Sequence, residues 1–127
     1  MKQGKPLLIG CVADDFTGAG DAASFLSANG LKTLLTNGIP ADSANLSCDF
    51  SAIVIALKSR TQETSQAIAD SLAAFEWLKN QGAQTLYFKY CSTFDSTPSG
   101  NIGPVADAVL EKYDIPYTIL CPALPVN

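Results

Sequence analysis

Histidine is absent from the 127 residues, so no imidazole of this chain can act as base, acid or metal ligand. Basic residues are scarce: eight Lys and Arg stand against twelve Asp and Glu, for a net charge of −4. No basic block occurs, which argues against nucleic acid and against anionic membrane surfaces as partners. Charged residues of both signs reach only 16%, while apolar residues reach 47%, a balance that excludes a disordered chain. No apolar run approaches the ~20 residues that cross a bilayer. No signal-cleavage pattern follows the start, Met1-Lys2-Gln3-Gly4-Lys5, so a cytoplasmic protein is expected. Four cysteines, at 11, 48, 91 and 121, match no metal-site spacing. With no histidine to activate a thiol, Cys11, Cys91 and Cys121 are expected to be reduced and buried in the apolar runs that hold them.

What is present is an alternation of strands and helices. Apolar runs predict strands over residues 6–12, 31–36, 51–57, 84–88 and 117–121. Helical spacing predicts helices over 18–29, 62–80 and 101–113. Their apolar faces are Ala22, Ala23 and Leu26; then Ile68, Leu72, Phe75 and Leu78; then Ile102, Val105 and Val109. The order is that of an α/β fold: a doubly wound, mostly parallel sheet in an αβα three-layer arrangement. The length suits one domain, residues 1–127. Residues 122–127 leave the last predicted strand with no helix to cover it, so the chain is expected to be part of something longer. Phe75, Trp77 and Tyr87 are expected in core or domain packing rather than as ligand platforms. Glu111 and Lys112 are expected on a solvated helix face.

Three predicted strands end in polar clusters. Val12 runs into Ala13-Asp14-Asp15-Phe16-Thr17-Gly18. Leu57 runs into Lys58-Ser59-Arg60-Thr61. Phe88 runs into Lys89 and continues to Thr97 through Asp95 and Ser96. Parallel strands would bring these clusters to one end of the sheet, where open α/β sheets take ligands. The free amides at a helix start favour an anion there. Arg60 is the best candidate for a carboxylate clamp, because its planar fork binds an acid through two hydrogen bonds; a surface Arg at a helix start is the alternative. A cation beside a helix N-terminus is otherwise unfavourable. Lys89 could steady an anionic group, or form a structural pair with Asp95 or Asp14. Asp14, Asp15 and Asp95 compete to hold hydroxyls, and one could act as base. Asp15 ranks first because it lies nearer the helix start. Ser59, Ser96, Thr97 and Asn101 can add hydrogen bonds, of which helix capping explains one. The bland reading of the first cluster is a helix capped by Thr17 with aspartates beside it.

Two known patterns overlap the first cluster. Gly18, Gly20 and Ala23 match the dinucleotide fingerprint, which would make this an oxidoreductase domain. That fingerprint expects an acid at the end of the second strand, where Thr36 and Asn37 stand. Asp15 to Asp21 resembles the signature of the ribokinase-like sugar kinases, which however lies late in those chains.

A third pattern spans residues 7 to 125. Ala13-Asp14-Asp15-Phe16-Thr17-Gly18-Ala19 resembles the opening motif of the four-carbon acid sugar kinases. Ala56-Leu57-Lys58-Ser59-Arg60-Thr61 resembles their second motif, and the stretch from Phe88 to Val105 their third. That last stretch is most similar to the branch that acts on 3-oxo-tetronate. Gly20 departs from the pattern, where a larger residue, commonly Thr, is expected. The resemblance implies a two-domain enzyme whose N-terminal domain holds the sugar acid and whose C-terminal domain holds ATP and Mg2+. This chain would be the first of these, inactive by itself, with 3-oxo-tetronate 4-phosphate as the product of the whole. The catalytic candidates are then Asp15 and Asp14. The substrate-binding candidates are Asp14, Asp15, Ser59, Arg60, Lys89, Asp95, Ser96, Thr97 and Asn101. No Walker-type loop occurs in the sequence, which agrees with a nucleotide site elsewhere. A homodimer is possible on this resemblance, and a stand-alone small-acid-binding module is the non-enzymatic alternative.

Overall fold

Five consecutive buried residues, Ala52-Ile53-Val54-Ile55-Ala56, form strand β3 (Ala52–Ala56). Such a strand needs apolar cover on both faces, as a parallel sheet with helices on each side provides. The computed structural model describes residues 7–40, 50–59, 61–89 and 102–112. In it β3 is flanked by β2 (Thr33–Asn37) and β1 (Ile9–Ala13), and β4 (Thr85–Lys89) lies outside β1. The strand order is β2-β3-β1-β4, and all three pairings are parallel.

Alternation along the strands splits the core in two. Cys11, Ala13, Val54 and Ala56 face α1 (Phe16–Ala28), whose Ala19 and Ala22 complete that layer. Val12, Ile53 and Ile55 face α2 (Thr64–Asn80), which adds Ala74, Phe75 and Leu78. α3 (Ile102–Lys112) packs on α2 and sends Val109 toward the same cluster. The second core holds the large side chains, each stabilising the fold by about 1.5–3 kcal/mol on burial. The small residues of the first let α1 lie close to the sheet. Close packing recurs at Gly10, where a Cβ would stand 3.0 Å from that of Leu78.

The predicted elements hold to within a few residues, and the fifth predicted strand lies outside the described residues. The face of α2 differs. Ala67, Ser71 and Ala74 are buried with Phe75 and Leu78, while Ile68 and Leu72 are only half-buried. The small residues lie against the sheet and the larger ones flank the contact. Tyr87 is 46% exposed and so lies outside this domain's core, which leaves domain packing as its expected role. It shares the face of Cys11, but α1 leans over β2 and β3 and leaves β4 uncovered there. Glu111 and Lys112 are exposed as expected.

Gly20 sits inside α1, and a Cβ added there would meet nothing within 4 Å. Glycine costs a helix interior backbone entropy. Gly20→Ala is therefore expected to raise stability by about 0.5–1 kcal/mol, read as a higher urea midpoint. Among the described residues no helix is long and apolar enough to cross a membrane.

Candidate functional site

β1 and β3 are neighbours, yet the helices that follow them cover opposite faces of the sheet. The crevice outside their carboxyl ends is therefore a topological switch point, where open α/β sheets bind ligands. Two main-chain bonds tie the strand ends together there. Leu57 N donates to Ala13 O at 2.9 Å, and Asp14 N donates to Lys89 O at 3.0 Å. The ends of β3, β1 and β4 thus deliver Ser59, Asp14, Asp15 and Lys89 to one edge.

Each side chain is held differently. Asp14 is 2% exposed and Ser59 1%. Asp15 is half-buried and is the N-cap of α1, where its Oδ1 accepts from Gly18 N at 2.8 Å. The cap is thus Asp15 rather than Thr17. Thr17 falls inside the helix, and the extended backbone of Asp15 (φ −152°, ψ 168°) suits the cap position. Lys89 lies over the first turn of α1: its Cγ and Nζ are each 3.6 Å from where a Cβ on Gly18 would be. Among the described residues α1 and α2 carry no acid inside their first turns, but each has an acidic N-cap, Asp15 and Glu63. The Lys89 ammonium, with the first-turn amides that the caps leave open, is what can draw an anion here. The aspartates beside them can accept hydrogen bonds from hydroxyls. The arrangement suits a molecule with an acid group at one end and hydroxyls along the rest.

Arg60, Asp95, Ser96, Thr97 and Asn101 lie outside the described residues, as do Cys48, Cys91 and Cys121. Phe16, to which the sequence reading assigns no role, stands 59% exposed beside the aspartates. The signal was available, since an aromatic at that position lies off the apolar face of Ala19 and Ala22. An open groove of about 540 Å³ lies elsewhere, between α1 and β2, lined by Ala23, Ser24, Ser27, Thr33 and Leu35 among others. Its lining carries no charge, so it has nothing to hold an acid. Among the described residues no three carboxylate, thiol or imidazole groups gather as a metal site would need.

The dinucleotide reading fails on topology. Its ribose-binding acid belongs at the end of a second strand that lies directly beside the first. Here β3 separates β2 from β1, about 10 Å at two strand spacings, and β2 ends in the neutral Asn37.

Cys11 is a free thiol, fully buried under α1. Burial pushes it up from 9.0 to about 12, because the thiolate would lose its hydration; the main-chain N–H and the charge of Lys89 pull it back less strongly. Below pH 9 the thiol is protonated in both states. Above it the unfolded chain loses the proton that the folded chain keeps. Stability is therefore expected to fall as pH rises from 9 to about 12, and a urea series across that window tests it. At about pH 8 the folded protein should keep Cys11 unalkylated by iodoacetamide, with modification only on unfolding.

Residues 9–127 match the family model described as the sugar-binding N-terminal domain. A 3-oxo-tetronate kinase from Brucella melitensis is 59% identical over 119 residues, which cover 94% of this chain and 27% of the relative. A 3-oxo-tetronate kinase from Pseudomonas savastanoi is 52% identical over the whole chain and 29% of its own length. A crystal structure of a Haemophilus influenzae protein superposes with a TM-score of 0.87 at 56% identity, covering 93% of this chain and 28% of that one. The chain thus spans just over a quarter of these relatives. With the parallel sheet, the switch-point crevice and a match over nearly every residue, the chain belongs to the sugar-binding N-terminal domain family.

Proposed function

We propose that this chain is the acceptor-binding domain of an ATP-dependent kinase that phosphorylates 3-oxo-tetronate on its terminal hydroxyl. The observation that carries the reading is Lys89 laid over the start of α1, beside Asp14 and Asp15, at the switch point. Lys89 and the first amides of α1 hold the anionic end or a phosphoryl oxygen. Arg60 clamps the carboxylate, and Ser59, Asp95, Ser96, Thr97 and Asn101 fix the hydroxyls. These roles are assigned from residue chemistry and from the kinase names of the relatives. ATP with Mg2+ supplies the phosphoryl group, and no described cluster of this chain fits the metal.

Transfer of a phosphoryl group depends mainly on position and charge. Asp15 or Asp14 would accept a hydrogen bond from the terminal hydroxyl and take its proton as the new O–P bond forms and the bond from the γ-phosphorus to the departing ADP breaks. A cytoplasmic setting supplies the nucleotide. A stand-alone acid sensor would use the same site without transfer. The test is the full-length polypeptide with Mg-ATP and a panel of four-carbon acids, followed by ADP release and mass of the product. Formation of 3-oxo-tetronate 4-phosphate supports the kinase. Binding of the acid with no ADP release would favour the sensor.

A further inference from the structure

α1 carries two glycines two residues apart, and their surroundings are opposite. Gly20 faces open space. A Cβ on Gly18 would stand 2.7 Å from Asp15 Oδ1 and 3.6 Å from both Cγ and Nζ of Lys89. Carbon and oxygen do not approach to 2.7 Å without displacement. The oxygen has little room to retreat, because Asp15 is short and that atom accepts Gly18's own N–H at 2.8 Å. Backbone conformation does not require glycine here, since the positive-φ glycines among the described residues are Gly30, Gly38 and Gly82. Helix propensity would prefer alanine. What Gly18 supplies is space.

We propose that Gly18 is a positioning residue of the acceptor site. Its bare Cα lets the Asp15 carboxylate close over the helix start while the Lys89 side chain lies along the same turn. Carboxylate and ammonium are thereby packed on either side of one buried point, at the mouth of the switch-point crevice. A side chain at Gly18 would push Asp15 off its cap and change where its other oxygen points. The inference rests on the reading of this crevice as the acceptor site.

The test uses Gly18→Ala, Gly20→Ala, Asp15→Ala and the double variant Asp15→Ala/Gly18→Ala in the full-length polypeptide. Binding of erythronate, a stable four-carbon acid, is measured by calorimetry, and melting temperature alongside it. Gly18→Ala is expected to weaken binding about tenfold, the loss of one charge-assisted hydrogen bond, without raising the melting temperature. Gly20→Ala should bind within about twofold of wild type and melt higher. On the Asp15→Ala background the colliding oxygen is gone, so Gly18→Ala should cost less than about twofold more. An equal loss on both backgrounds, or wild-type binding by Gly18→Ala, would overturn the proposal while leaving the acceptor reading intact. If Gly18→Ala alone does not fold, recovery of folding in the double variant supports the collision, and its absence refutes it. A wild-type protein that bound no four-carbon acid would overturn the acceptor reading itself, and this inference with it.

Discussion

On the proposed kinase reading, Asp14→Asn in the full-length polypeptide is expected to lower the rate of phosphoryl transfer by about a hundred- to ten-thousandfold. Asp14 is 2% exposed at the carboxyl end of β1, where its amide is fixed to Lys89 O. Burying a carboxylate is costly unless it is paired or hydrogen-bonded, so Asp14 is held in a fixed place. Asparagine keeps the shape and the acceptor oxygen but removes the charge and the basicity, and positioned acid–base groups contribute on that scale. Asp15→Asn gives the companion experiment. Asn caps helices about as well as Asp, so α1 should persist while any proton-accepting role of Asp15 is lost. The two kcat values together identify the base. Full kcat in both variants would mean that neither carboxylate takes the proton.

Phe75→Ala is expected to cost about 3–5 kcal/mol, the largest loss of stability from a single truncation in this core. Phe75 is 1% exposed and meets the ring of Phe88 edge-on, with centroids 6.4 Å apart and planes at 75°. The loss combines buried area, the cavity left behind and the aromatic contact. Against a typical domain stability of about 5–15 kcal/mol, it removes about a fifth or more. Phe88 precedes Lys89 on β4, so the cavity also loosens the strand that presents the ammonium. The urea midpoint should therefore drop, and erythronate affinity should weaken with it. A loss below about 1 kcal/mol would mean that the helix layer over β4 is not the packed core described here.

The layer order was legible because a parallel sheet writes itself plainly. Ala52 to Ala56 is apolar at every position, and Ile9 to Ala13 nearly so, which an edge or half-exposed strand would not be. The alternation with helices then leaves few topologies. The strand order was not legible, because neither β2 nor β3 states which of them lies beside β1. That order decided against the dinucleotide reading, since it puts Asn37 beyond β3. The clustering of Asp14, Asp15, Ser59 and Lys89 followed from strand direction alone. Details of contact did not. Thr17 and Asp15 are both competent caps by composition, and only backbone geometry selects Asp15. The face of α2 was misjudged by one step, because large apolar residues mark a helix stripe while small ones mark the point of closest approach. For Tyr87 core and domain packing could not be told apart, because nothing in its own strand reveals that α1 lies over the other half of the sheet.

The central claim is that this domain holds the acid acceptor and not the nucleotide. Hydrogen–deuterium exchange of the full-length polypeptide tests it most directly, with erythronate and Mg-ATP added separately. The account predicts that erythronate alone slows exchange across residues 13–18, 57–59 and 85–89, and that Mg-ATP alone leaves those segments unchanged. Protection of residues 13–18 by Mg-ATP and not by the acid would contradict it, and would make the start of α1 a nucleotide phosphate site.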